Sequence, residues 1–299
     1  MKKHHGFTLI ELMITLLLSS LLIAAIGRVF LDSGNSFRKQ QSLSYMIQDG
    51  RYAMEMLGKE FRRTGFLRNP YVAGGTALDI FPASINTFGS GITLAAEEPS
   101  HGSFNLAGVG GDAFDNNRLL FRYQLDDVND LGASPDYAAS PCTKDIHLNA
   151  GEDPDTQKIM VTLYLYVQFD NVTNVPVLYC KAKRENFDAP LNNTTLNPTA
   201  IPLVSNVEKW LILYGVNTDA VGLSENQYAN HYLRADQVTD WTEVKSVRFY
   251  LVIASDDKNV SSGTPSYRID GRDYTVNSPA DKRLYKVLSS TIAFRNNPE

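Results

Sequence analysis

Hydrophobic and polar positions divide the chain into three regimes. From Phe7 to Leu31 the residues are almost all apolar, broken only by the charges of Glu11 and Arg28 and a few hydroxyls. At 1.5 Å per residue, Phe7 to Arg28 spans about 32 Å of helix, the depth of a hydrocarbon core. Beyond Arg28 the pattern turns amphipathic. Leu43, Met46, Ile47, Gly50, Ala53, Met54, Leu57 and Phe61 recur at helical spacing, which predicts a single buried stripe. Arg51, Glu55, Lys59 and Arg62 fall on the opposite side. No proline occurs before Pro70. One helix of about 85 Å is therefore predicted from Phe7 to Arg63. Gly65 is its expected left-handed cap, and Gly27 and Gly34 are its soft points.

After the helix the period shortens to two. Residues 66–117 are rich in Gly, Asn, Ser and Pro and read as a long connection with a short strand near Gly91 to Leu94. Strands are predicted at Arg118–Gln124, Lys158–Asp170, Val175–Lys183, Val207–Val216, Val244–Ala254 and Lys286–Arg295. In the second, Val161, Leu163, Leu165, Val167 and Phe169 alternate with Thr162, Tyr164, Tyr166 and Gln168, the period of a sheet covered on one face. Ser224-Glu-Asn-Gln227 has the form of a capping box and predicts a short helix to Asp236, with Tyr228, Tyr232 and Ala235 inward. The fold class is α+β: a long helix whose second half lies on an antiparallel sheet.

Charge and cysteine usage add topology. The two lysines ahead of the apolar run, Lys2 and Lys3, favour a cytoplasmic amino terminus, with the remainder outside. A secretory signal has a shorter apolar core and a small-residue cleavage site, neither of which is found here. A simple anchor fits the length but leaves Glu11 unexplained, since a carboxylate in lipid is costly without a partner. Cys142 and Cys180 would lie in an oxidising compartment, so a disulfide is predicted. The net charge of −5 gives no broad basic surface, and no nucleic-acid partner is expected.

The candidates for chemistry are weak. His4, His5, His101, His147 and His231 have no metal-ligand spacing. Gly108, Gly110 and Gly111 lack the strand and helix of a dinucleotide loop. Asp126, Asp127, Asn129 and Asp130 offer hard oxygens for calcium, but not in the spacing of an EF-hand, and turn chemistry explains them as well. Asn192 and Asn193 begin Asn-x-Thr matches that also read as turn residues. Tyr164 and Tyr166 are read either as a partner surface or as covered by the 66–117 connection. Neither a catalytic cluster nor a cofactor site emerges, and no enzymatic activity is expected.

Two stretches carry a family resemblance. Gly6-Phe7-Thr8-Leu9-Ile10-Glu11, behind a basic leader and before an apolar run, resembles the cleavage and methylation motif of type IV prepilins and type II secretion pseudopilins. The resemblance implies that a prepilin peptidase cuts after Gly6, that Phe7 becomes N-methylated, and that Glu11 pairs with the terminal amine of a neighbouring subunit. Breaking such a buried pair typically costs about 3–5 kcal/mol. Loss of Lys2 and Lys3 with the leader leaves 26 basic and 33 acidic residues, a net charge of −7. Further on, Tyr214-Gly-Val216, Trp241, the run Val244–Ile253 and Thr291–Asn296 resemble the minor pilin PilW family and, more distantly, the pseudopilin GspJ.

The implied organisation is a leader (1–6), a transmembrane and assembly half-helix (7–31), an amphipathic half-helix (32–65) and a globular β-rich domain (66–299). The implied role is priming of pilus assembly within a tip complex. The implied partners are other minor pilins, the major pilin, a tip adhesin and the prepilin peptidase. The chain would sit in the inner membrane before assembly and on the pilus afterwards. The alternatives are a GspJ-like pseudopilin, a membrane-anchored periplasmic enzyme and a DNA-uptake pilin. The enzyme lacks a candidate nucleophile or acid cluster, and the acidic charge weighs against the uptake pilin.

Overall fold

The computed structural model of the chain describes residues 8–66, 94–96, 119–125, 141–143, 146, 148, 152–153, 156–157, 159–187, 200–218, 228–261, 263–276 and 282–294. Helix α1 (Leu9–Arg63) is unbroken through Gly27 and Gly34 and measures about 81 Å. It stops because Thr64 leaves the helical region and Gly65 turns left-handed at φ +73°. Gly65 does not close back on the helix. Its N–H donates to Arg122 O at 3.0 Å, and Gln124 N–H donates to Phe66 O at 2.9 Å, so the exit is stitched to the first long strand.

The buried stripe of α1 is rotated from the predicted one. Ser42, Met46, Gly50, Ala53, Met56, Leu57 and Phe61 are inside, whereas Leu43 and Ile47 keep 37% and 38% of their surface exposed. Two residues outside the apolar pattern draw the helix round. Ser42 Oγ donates to Asp257 Oδ2 at 2.8 Å, and Met56 Sδ lies 3.6 Å from Cys142 Sγ. Arg51, Glu55, Lys59 and Arg62 face solvent, with Glu55 and Lys59 paired at 3.2 Å.

The strands form two main antiparallel sheets where one was expected. The first has the order β1 (Leu94–Ala96), β2 (Leu119–Gln124), β3 (Ile159–Phe169), β4 (Pro176–Asn186), β5 (Ile201–Ser205). The second has the order β11 (Tyr285–Ala293), β8 (Val244–Ala254), β6 (Val207–Val216), β7 (His231–Leu233). A hairpin of β9 (Ser266–Ile269) and β10 (Arg272–Thr275) stands beside them. The chain changes sheet at a single residue, Asn206, held left-handed at φ +57° between β5 and β6. Phe61 of α1 then joins both sheets, its ring 5.5 Å from Phe121 in β2 and 5.3 Å from Phe249 in β8.

Three further expectations are corrected. The first concerns β3, which is buried on both faces rather than one. Tyr164 and Tyr166, each 3% exposed, form a second cluster with Leu120, Tyr179 and Ala200, so of the two readings the partner surface is overturned and the covered one agrees with their burial. The second concerns the predicted helix to Asp236. His231–Leu233 is strand β7, paired to Tyr214–Val216, and Tyr228 is 76% exposed. Gly215 makes room for this pairing: a Cβ there would lie 2.2 Å from Ser246 Oγ and 2.7 Å from Ala229 Cβ. The third is the strand near Gly91 to Leu94, which lies at Leu94–Ala96 in register with Phe121–Leu119.

Candidate functional site

The bare half of α1 is the part of the molecule whose chemistry is unfinished. From Leu9 to Leu31 no side chain is buried; Leu12 is 54% exposed and Phe30 78%. The apolar surface is what water penalises most, and among the described residues nothing covers it. Its polar groups, by contrast, are already satisfied within the helix. Thr15 Oγ1 donates to Leu12 O at 2.9 Å, Ser19 Oγ to Thr15 O at 2.7 Å and Ser20 Oγ to Leu17 O at 2.8 Å. Such hydroxyls carry no unpaired donor into lipid or into a helix–helix contact.

Glu11 closes the amino-terminal end of this surface. Thr8 is the N-cap, and its N–H and its hydroxyl both donate to Glu11 Oε2 at 2.9 Å. Glu11 N–H donates to Thr8 Oγ1 in return at 3.4 Å, completing a capping box. The carboxylate is therefore held at the amino-terminal mouth of the helix, with the positive end of the helix dipole behind it. Gly6 and Phe7, the cleavage and methylation positions suggested by the motif, lie outside the described residues.

The globular end is rigidly tied to this helix. Cys142 and Cys180 are disulfide-bonded with Cα atoms 5.7 Å apart, and the bond lies under Met56. On the other flank Asn206 is a knot. Its Nδ2 donates to Asp256 Oδ1, its Oδ1 accepts from Arg283 Nη1 at 3.2 Å, and its carbonyl accepts from Ala254 N–H at 2.8 Å. A cleft of about 570 Å³ runs from this knot to the helix, with Arg38, Ser42, Asp49, Asp256 and Asp257 on its walls. Partial desolvation at the cleft wall, reinforced by the nearby Asp256, raises the carboxyl of the otherwise exposed Asp49 above its ordinary value. No sequence signal reveals this knot, because its members are spread over Ser42, Asn206, Asp256, Asp257 and Arg283.

The remaining candidates stay apart. His231 is exposed and meets Asn230 Oδ1 at 3.0 Å and Thr218 Oγ1 at 3.3 Å. Among the described residues no group of three or more His, Cys, Asp or Glu side chains is gathered as metal ligands. Asp126, Asp127, Asn129, Asp130, His101, His147, Gly108, Gly110, Gly111, Asn192 and Asn193 lie outside the described residues.

Two family models match the chain. The one described as type IV pilus-assembly protein W matches residues 164–296, from the middle of β3 past the end of β11. The prokaryotic N-terminal methylation motif matches residues 1–27. Among solved structures the chain is similar to a type IV-like pilin from Thermus thermophilus, at 11% identity over 85% of this chain and 98% of that one, with a TM-score of 0.34. No curated protein matches the chain.

Proposed function

Taking as premise that the chain is a type IV pilin-like protein of the PilW kind, we propose that it is a minor pilin that primes pilus assembly and forms part of the tip complex. The observation that carries this reading is the coupling of a bare apolar half-helix, prefaced by the prepilin-type motif, to a PilW-type sheet on the same unbroken α1. A pilin-type subunit needs that arrangement: one end soluble in lipid or in a helix bundle, the other end folded by itself.

In this reading the prepilin peptidase cuts between Gly6 and Phe7, and Phe7 is N-methylated. The new ammonium of one subunit then meets the Glu11 carboxylate of another. Glu11 is poised for the exchange, since Thr8 holds its carboxylate with two hydrogen bonds at the helix end. A charge in lipid is unfavourable, and so is a lone ammonium, so pairing them favours the assembled state. The partners are other minor pilins, the major pilin and a tip adhesin. The protein waits in the inner membrane and ends on the cell surface.

The test is Glu11→Ala in cells lacking the native copy. Pili per cell and incorporation of the variant into sheared pili are measured beside membrane levels of the protein. The reading expects normal membrane levels with pili reduced at least tenfold. Normal piliation and normal incorporation would remove the assembly role of Glu11. Normal piliation in cells lacking the whole chain would remove the priming role.

A further inference from the structure

Among the described residues the two larger sheets end in four edges, and three are protected against pairing with other chains. Strands β1 and β7 are three residues long. Strand β5 contains Pro202, and its pairing with β4 is interrupted by an irregularity at Leu178/Tyr179. Short strands, proline and bulges are the usual devices that blunt a sheet edge. The fourth edge, β11, has none of them, although its faces meet α1 and the β9–β10 hairpin, with the Tyr267 ring 5.8 Å from that of Tyr285 at the start of the strand. It is nine residues long and pairs with β8 without interruption. From Val287 to Ala293 it carries no charge and no proline.

The hydrogen-bond pattern says which groups point outward. Ser255 N–H donates to Leu284 O, and Phe294 N–H donates to Lys245 O, both at 2.9 Å. In an antiparallel pair the residues facing the partner alternate. Even-numbered residues from Leu284 to Phe294 therefore face β8. The N–H and C=O groups of Val287, Ser289, Thr291 and Ala293 point away from the sheet.

A second observation lies beside this edge. Gly50 and Gly58 bring α1 against β11: a Cβ on Gly50 would reach Leu288 Cδ1 at 2.3 Å, and one on Gly58 would reach Ile292 Cδ1 at 4.0 Å. Four strand residues and eight helix residues cover about the same 12–13 Å, so helix and strand run side by side. Leu43 and Ile47 lie seven and three residues before Gly50, on this same side of the helix. Both belong to the apolar stripe that the sequence predicts to be buried, and both are more than a third exposed. The uncovered residues of the stripe thus flank the unprotected edge.

We propose that the outer edge of β11, with Leu43 and Ile47, is a docking site for an extended segment of another pilus subunit. The segment adds to β11 as a further strand, and its apolar residues cover Leu43 and Ile47. Main-chain pairing supplies affinity, and the two helix side chains select apolar residues on one face of the incoming segment. The proposal rests on the filament reading above for the identity of the partner.

The test is hydrogen–deuterium exchange with single-residue resolution on the full chain in detergent. It is measured for the chain alone and co-purified with the pilin-type subunits and adhesin of its own system, each expressed with it in turn. The amides of Val287, Ser289, Thr291 and Ala293 should exchange freely in the chain alone. They should slow at least tenfold in one of the complexes, while Leu288, Ser290 and Ile292 are protected throughout. Ser289→Pro removes an outward donor and leaves the β8 ladder intact, so it should weaken that complex at least tenfold. If that variant fails to fold, Ile47→Glu, on an exposed helix position, takes its place with the same expected loss.

Outward amides already protected in the chain alone overturn the proposal, as does a complex that forms without slowing them. Protection that rises with the concentration of the chain by itself assigns the edge to a second copy and overturns the heterologous partner. A chain that forms no complex with any of these components, and enters no filament, contradicts the filament reading itself.

Discussion

At the residue scale, two positions are set by close approach and by charge. Gly215 is hemmed by Ser246, Ala229 and Tyr232 on three sides. Gly215→Ala should destabilise the folded domain by about 1–3 kcal/mol, read as a lowered urea midpoint, because overpacking forces neighbours off their rotamers. Asp49 carries the opposite kind of strain. Folding raises its carboxyl above the ordinary 3.8, through partial desolvation first and Asp256 second, while the side chain stays exposed. Its contribution to stability is thus complete below the unfolded value and is lost as pH rises through the folded one. Asp49→Asn should raise Tm at pH 7 and leave it unchanged at pH 3. Equal Tm values at both pH values would show that Asp49 carries no such strain.

At the element scale, the long helix is legible because length, charge and period all agree. The strands Ile159–Phe169 and Val244–Ala254 are legible too, each an eleven-residue run rich in β-branched and aromatic residues. The misreadings have physical causes. The capping-box pattern at Ser224–Gln227 is a local signal, and at His231–Leu233 tertiary pairing with β6 prevails over it. The β9–β10 hairpin does have a signal: Asp270-Gly271, both with positive φ, between two short strands. The rotation of the α1 stripe leaves no sequence mark, since Ser42 and Met56 join the core through Asp257 and Cys142, which are distant in the chain.

The same elements give two stability predictions. Phe61 touches both sheets, so Phe61→Ala should cost about 3–5 kcal/mol, the usual penalty for emptying a buried aromatic site. The Cys142–Cys180 bond closes a separation of 38 residues. Replacing both cysteines with alanine should cost about 4 kcal/mol on the chain-entropy account, measured by denaturant unfolding of the oxidised and variant proteins. A cost near zero for the alanine pair would mean that the packing of Met56 and β4 alone fixes this flank.

At the scale of the whole molecule, one end is folded and the other is a bare apolar helix. The core around Phe61 gathers α1 and both sheets into one body. The half of α1 before Asp32 contributes nothing to that body, and its hydroxyls are satisfied within the helix. The place of Glu11 at the start of α1 is legible in the motif, because a motif is a local pattern, while Gly6 and Phe7 lie outside the described residues. The knot at Asn206 and the open edge of β11 are not legible in the sequence, because strand order and sheet switching are decided by contacts far apart in sequence.

The most direct check is the intact mass of the chain extracted from membranes that contain an active prepilin peptidase. The account predicts a mature protein beginning at Phe7 and carrying one added methyl group on that amine. A chain that keeps residues 1–6, or begins anywhere else, would contradict it.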